Sequence, residues 1–392
     1  MKQTIKDIDV KGKKILLRVD FNVPLDENGV ITDTTRIDVE LPTIKYLLMQ
    51  NASVIICSHL GRPDGEVNKK YSLFPVAKYL VKQLVSRVVF ANDCVGEDAV
   101  NKAKNLRLGE VLLLENVRFY KGEEENDMVF ASKLASLADI YINDAFGTAH
   151  RKHASTYGVA KLLPSAVGFL MGKEITAIKG VIDNPERPLV AILGGAKVSD
   201  KLALINNFLE KCNTILIGGG MAFTFLKARG VKVGASLVDD SKIDTAKEIL
   251  EKAKEKGVKI VLPVDYICAR EFSPNAKGYK IKGDIPDGLQ GLDIGKATIK
   301  LFLNEIKAAN SIIWNGPLGV FEFKGFSNGT NQIAKAVIKF KGKAVVGGGD
   351  SVAAINKVGN TNGIYHISSG GGASLKLMAG ESLPCVEVIS NK

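Results

Sequence analysis

The chain has 392 residues, 46% of them hydrophobic and 24% charged, with a formal net charge of +11 at pH 7. That length exceeds what one core usually supports and favours two domains, and the composition, ordinary for a soluble globular α/β protein, argues against disorder. No secretory-type leader, no apolar run of membrane-spanning length and no C-x-x-C pair among five scattered cysteines is present, which argues against membrane, disulfide-framework and zinc-site classes and predicts a cytoplasmic protein.

Most of the excess positive charge lies in the second half and is read as solvated helix surface rather than a nucleic-acid surface; residues 241–259, where lysines and glutamates mix, read as one such exposed helix. Apolar, β-branched runs of strand length fall at 15–19, 54–57, 111–114 and 140–142, and again at 189–193, 214–217, 259–262, 311–314 and 344–346. Helical patterns separate them, and strand alternating with helix predicts an α/β fold with parallel sheets covered on both faces. The series pauses where residues 168–183 read as one helix ended by Asn184-Pro185. The predicted layout is therefore a first domain over 1–167, an interdomain helix over 168–184 and a second domain over 185–375.

In the first half, the strand exits carry arginine. They read Arg18-Val19-Asp20-Phe21-Asn22, Ser58-His59-Leu60-Gly61-Arg62, Glu115-Asn116-Val117-Arg118, and Asn143-Asp144 through His150-Arg151. Alternation puts Arg18, Asp20 and Asn22 on one side. A single arginine after a strand is commonly a solvated or capping residue, but four exits on one sheet edge let Arg36, Arg62, Arg118, Arg151 and His59 converge on a small anion. His150 and His153 lack companions with metal-ligand spacing and read as structural.

In the second half, the exits are rich in glycine. The run at 189–193 breaks into Gly194-Gly195-Ala196-Lys197-Val198-Ser199-Asp200-Lys201, and a helix beginning near Val198 would stack both lysines on one face. Further exits are Gly218-Gly219-Gly220, Asn315-Gly316-Pro317-Leu318-Gly319, Gly347-Gly348-Gly349-Asp350-Ser351 and Gly370-Gly371-Gly372. Each alone serves a tight turn equally well; five together favour a nucleotide. Asp350 is either an N-cap or a magnesium ligand, and Glu322 is placed to receive ribose hydroxyls. Neither G-x-x-x-x-G-K-[ST] nor G-x-G-x-x-G with a distal acid occurs, which argues against a P-loop and a dinucleotide oxidoreductase.

Taken in order, these motifs closely resemble the phosphoglycerate kinase family, from about Ile8 to Pro384. The resemblance implies two Rossmann-like domains joined by an interdomain helix and hinge, with the tail over 376–392 packing back onto the first domain. It implies 3-phosphoglycerate or 1,3-bisphosphoglycerate on Asp20, Asn22, Arg36, His59, Arg62, Arg118 and Arg151. It places MgADP or MgATP on Lys197, Lys201, Gly219, Gly220, Gly291, Leu292, Asn315, Pro317, Val320, Glu322, Gly349, Asp350 and Ser351, with Asp350 beside Mg²⁺. Phosphoryl transfer would be direct, with Arg36, Lys197, Gly371 and Gly372 as the catalytic groups. Partners are then small molecules only, with no nucleic acid or membrane, and a monomer is expected. The family's usual Leu-Glu after Gly-Gly-Gly-Ala-Ser is Leu375-Lys376 here, and its Leu-Pro-Gly is Leu383-Pro384-Cys385, so a charge is reversed near the presumed hinge.

Overall fold

A computed structural model describes residues 2–392. The chain divides into two compact units, one of Met1–Ile175 with Ser382–Lys392 and one of Thr176–Glu381. The division falls inside the helix Phe169–Asp183.

The first unit is built on a parallel sheet of β1 (Lys14–Arg18), β2 (Ser53–Cys57), β3 (Val88–Phe90), β4 (Val111–Leu113), β5 (Ile140–Asn143) and β6 (Ser165–Val167), in the order β3-β4-β2-β1-β5-β6. Every residue of β2 is buried, as expected of a Ser-Val-Ile-Ile-Cys run with helices on both faces. Each enclosed Leu, Ile or Val contributes roughly 1.5–3 kcal/mol. Ile15, Leu17, Val54, Ile56, Val111, Leu113, Ile140 and Ile142 form one cluster with Ile37, Ile44, Leu47, Leu73, Val76 and Leu80 from the loops and covering helices. The central β1 is flanked by β2 and β5, so the chain reverses its direction of travel across the sheet beside β1. Ligands of open α/β sheets sit outside the strand ends at such a point.

The second unit repeats the plan with β7 (Leu189–Leu193), β8 (Thr214–Ile217), β9 (Lys259–Val261), β13 (Ser311–Asn315), β14 (Lys343–Gly347) and β15 (His366–Ile367), ordered β15-β14-β13-β7-β8-β9. Trp314 is fully buried in its core, and its indole N–H donates to Gly316 O at 2.8 Å, tying the strand to its exit loop. The sequence did not predict a third sheet, the antiparallel β11-β10-β12 of Tyr279–Lys282, Asp265–Ala269 and Gln290–Ile294. Its edge strands Tyr279–Lys282, which exposes alternate lysines, and Gln290–Ile294, which contains glycine, lack the continuous apolar signal of buried parallel strands.

The predicted helix from Val198 is different in detail. Ser199–Lys201 is a 3₁₀ turn and the α-helix proper is Leu202–Lys211, so Lys197 stays in the loop and the two lysines do not stack on one helical face. Lys376 pairs with Glu381 at 3.3 Å, both nearly half exposed, so the reversed charge finds a local partner of small energetic weight.

Candidate active site

In the first unit the exits of β1, β2 and β4 bring their polar residues together. Asp20 Oδ2 holds Arg36 at 2.7 Å, and Asp20 Oδ1 lies 3.9 Å from His59 Nδ1. Asn22 Oδ1 accepts from Gly61 N at 2.8 Å, while Arg118, only 4% exposed, donates to Gly61 O at 2.8 Å and lies 3.3 Å from Glu124. Arg151 is exposed, and its positive charge, like that of Arg18, opposes protonation of His153 and disfavours the charged form of Arg118. Arg62 is exposed beside Gly61, and no bond ties it to the cluster among the described residues.

Arg18 approaches the same His59 nitrogen as Asp20 but is enclosed. Its side chain is fully buried, donates to Ser155 Oγ at 2.8 Å and to Val19 O, and reaches His59 Nδ1 at 3.3 Å. A guanidinium only donates, so His59 Nδ1 accepts and the ring proton sits on Nε2. Burial, then the charges of Arg18, Arg118 and Arg36, hold the His59 pKa well below its usual value. His59 is therefore a neutral donor in a cationic surrounding. Ser155 passes the Arg18 contact on to buried Glu123 at 2.6 Å, with His153 Nδ1 3.9 Å from Glu123, an anchoring network whose chain separation hid it from sequence patterns.

In the second unit a cavity of about 440 Å³ opens at the strand exits, within the range of small-molecule sites. Gly219, Gly220, Gly291, Leu292, Pro317, Val320, Glu322 and Asp350 line it, as do Phe223, Leu237, Tyr266, Phe272 and Asp293, which the sequence did not single out. The apolar ones among these, Phe223, Leu237, Tyr266 and Phe272, are spread over residues 223–272, so only folding reveals them. Burial pushes the Asp293 carboxyl up to about 8, although it accepts N–H groups from Gly329 at 2.7 Å and Ile294 at 2.9 Å.

Lys197, Lys201, Asn315, Gly349 and Ser351 are not among the cavity walls, but Lys197 follows the wall residue Ala196, Asn315 ends the strand before Pro317, and Gly349 and Ser351 flank Asp350. Lys201, half-buried, donates to Asn315 Oδ1; Asn315 Nδ2 donates to Gly347 O at 2.9 Å; Gly316 N donates to Ser351 Oγ at 2.5 Å. Burial lowers the Lys201 pKa, and the charges of Asp200 and Asp350 partly restore it. Gly349 starts the helix Gly349–Val358, and a Cβ there would meet open space. Lys197 is exposed, near enough to lower the pKa of Asp239 by its charge. Gly371 and Gly372 start the helix Gly372–Met378 beyond β15 and are not among the cavity walls.

Several glycines serve contact between loops. A Cβ on Gly194 would strike Pro317 O, and one on Gly219, which has φ of 65°, would lie 2.7 Å from Gly195 N and 2.8 Å from Pro317 O. Gly219→Ala is therefore expected to cost about 1–3 kcal/mol for the left-handed backbone, with the overlap added, seen as a lower denaturation midpoint at unchanged slope. An unchanged midpoint would show that the loops relax freely.

For magnesium, the exposed Asp350 carboxylate lines the cavity close to Lys201, and among the described residues no group of three or more His, Cys, Asp or Glu is arranged to hold a metal. One carboxylate fits an ion held mainly by nucleotide phosphates. Among the described residues no helix is long and apolar enough to cross a membrane.

Two sheet-edge sites on two Rossmann-like units, one cationic and one a cavity ringed by glycine loops, define a two-domain α/β phosphotransferase. The family model described as "Phosphoglycerate kinase" matches residues 5–381. The chain is 54% identical over 396 residues to the phosphoglycerate kinase of Thermosipho africanus, covering all of this chain and 98% of that protein. It is 51% identical to that of Finegoldia magna, with both chains fully covered. The solved phosphoglycerate kinase of Coxiella burnetii superposes with a TM-score of 0.91 at 40% identity, covering 99% of this chain and 98% of that one. The chain belongs to the phosphoglycerate kinase family. It is accordingly a glycolytic kinase whose phosphoryl acceptor is the carboxyl group of 3-phosphoglycerate.

Proposed function

We propose that the first unit binds 3-phosphoglycerate or 1,3-bisphosphoglycerate and the second binds the magnesium complex of ADP or ATP. The observation that carries this reading is the cluster of Arg36 and Arg118 around a His59 that burial keeps neutral. Such a cluster takes a small, highly charged anion without itself gaining or losing a proton. Asp20, Asn22, Arg36, His59, Arg62, Arg118 and Arg151 are its assigned contacts, His59 donating through Nε2.

The cavity takes the nucleoside between Gly219, Gly220, Gly291, Leu292, Pro317 and Val320, with Glu322 on the ribose. Lys201, Asn315, Gly349 and Ser351 face the phosphates. Asp350 would hold the magnesium ion, which neutralises phosphate charge when bound. A carboxylate nucleophile is already ionised at pH 7, so no general base is needed. The groups that matter are those that meet charge on the phosphoryl group in flight, and Lys197, Arg36 and the amides of Gly371 and Gly372 take that role. With the two substrates on separate units, transfer requires closure that brings them in line and excludes water from the acyl phosphate. A monomer in the cytoplasm suffices for this chemistry.

The test is ATP-dependent acyl phosphate formation from 3-phosphoglycerate, trapped with hydroxylamine, across a magnesium titration. Asp350→Asn should move the magnesium requirement to higher concentration. An unshifted requirement would remove Asp350 from the metal site.

A further inference from the structure

Two carboxyl groups that phosphoryl transfer does not use are enclosed beside the arginine cluster. Glu40 immediately precedes the helix Leu41–Met49, Asp144 follows β5, and both are fully buried. Glu40 Oε1 accepts the backbone N–H of Asp20 at 3.1 Å, the residue whose carboxylate holds Arg36. Glu40 Oε2 has no donor among the described residues, and the side chain is within hydrogen-bonding reach of the Asp144 carboxyl. Asp144 Oδ1 accepts Met171 N at 2.8 Å and Oδ2 accepts the Thr43 hydroxyl, whose oxygen accepts Phe169 N at 3.1 Å. The first turn of the helix Phe169–Asp183 thus hangs on Asp144. A Cβ at Gly168 would strike that carboxyl, so the approach depends on glycine.

Two buried carboxyl groups in contact do not both stay ionised. Asp144 already accepts from N–H and O–H donors at the start of a helix, which favours its charged form. The one vacant hydrogen-bonding position is on Glu40 Oε2. We propose that Glu40 and Asp144 share a single proton, carried on Glu40, and that the protonated pair is a positioning element fixing the Asp20–Arg36 corner against the first turn of the helix Phe169–Asp183. The positioning role rests on the reading of that corner as the phosphoglycerate site.

The electrostatics agree. Burial first, then the Asp144 charge, raises the Glu40 pKa well above its usual range, and burial raises Asp144 to about 6 against the pull of Thr43 and Met171. Asp20 is the other charged group facing the pair, with Arg36 and His59 reached through it. A carboxyl whose folded pKa is raised binds its proton more tightly folded than unfolded. Its contribution is complete below the ordinary value of 4.5 and is lost as pH rises toward the folded value.

The test compares wild type, Glu40→Ala, Glu40→Gln and Arg36→Met. Glu40→Ala should raise KM for 3-phosphoglycerate on the order of tenfold, since small misplacement of a binding group is costly, with KM for ADP unchanged. Glu40→Gln keeps an acceptor for Asp20 N–H and a donor for Asp144. It should restore KM, lose the fall of kcat/KM that wild type should show as pH rises through the raised Glu40 value, and lack one of the wild-type protonated-carboxyl infrared carbonyl bands, that of Asp293 remaining. Equal impairment in both variants, an unchanged pH profile, or no band lost in Glu40→Gln would overturn the proposal. Should Glu40→Ala fail to fold, the Glu40→Gln profile and band decide it. If Arg36→Met binds 3-phosphoglycerate normally, the site reading fails and the positioning role with it, whereas the band reports the shared proton on its own.

Discussion

Replacing Lys197 with alanine is expected to lower turnover by on the order of 100- to 1,000-fold while moving the Michaelis constants little, the signature of a group that meets charge only in the transition state. The structure separates the two lysines of the glycine loop. Lys201 is half-buried and donates to Asn315, part of the chain of contacts running to Gly347. Lys197 sits exposed in the loop before the 3₁₀ turn, its ammonium uncommitted to any buried partner and within electrostatic reach of Asp239. A long flexible side chain held this way reaches a phosphoryl group only when one is delivered. Steady-state kinetics with both substrates varied decides the matter. A rise in KM at unchanged kcat would reassign Lys197 to uniform nucleotide binding, and Lys201→Met should show the converse pattern, with ADP affinity falling first.

The second large effect is at Arg36. Arg36→Met should raise KM for 3-phosphoglycerate on the order of 10- to 100-fold, because a charge-assisted hydrogen bond contributes about 1.5–3 kcal/mol, and should lower kcat as well. Part of the loss comes from what stays behind. Asp20 is mostly buried, with a side chain 13% exposed, and Arg36 is its partner at 2.7 Å. Without Arg36 its carboxylate faces an anionic substrate directly and stands 3.9 Å from His59, which it would draw toward protonation. The double variant Asp20→Asn with Arg36→Met should therefore recover some substrate affinity but little turnover. If the double variant is as weak in binding as Arg36→Met alone, the retained Asp20 charge is not the cause, and the arginine acts through shape.

The parallel strands were legible because β1, β2, β5, β7, β8, β13 and β14 are buried on both faces and read as short Val/Ile/Leu runs. Their exits were legible for the same reason, since chemistry placed just after such a run has one destination. Asp20, Asn22, Arg36, His59 and Arg118 came together accordingly. What stayed hidden required contacts between distant segments. Alternation placed Arg18 on the side of Asp20 but could not show its contact with Ser155, which bonds buried Glu123. Phe223, Tyr266 and Phe272 are ordinary apolar residues until an unpredicted antiparallel sheet sets them around the cavity. Part of what the glycines do was also hidden. Gly194 and Gly219 allow loops to pack on each other beside the cavity.

The central claim is that the acceptor and the nucleotide occupy separate sites on separate units. Amide chemical-shift mapping by transverse-relaxation-optimised NMR, with each ligand added alone, tests it most directly. 3-Phosphoglycerate alone should give its largest shifts at Asp20, Gly61 and Arg118, and MgADP alone at Gly219, Gly291 and Val320. If both ligands move the same set most strongly, or if 3-phosphoglycerate leaves the arginine cluster untouched, the two-site account is wrong.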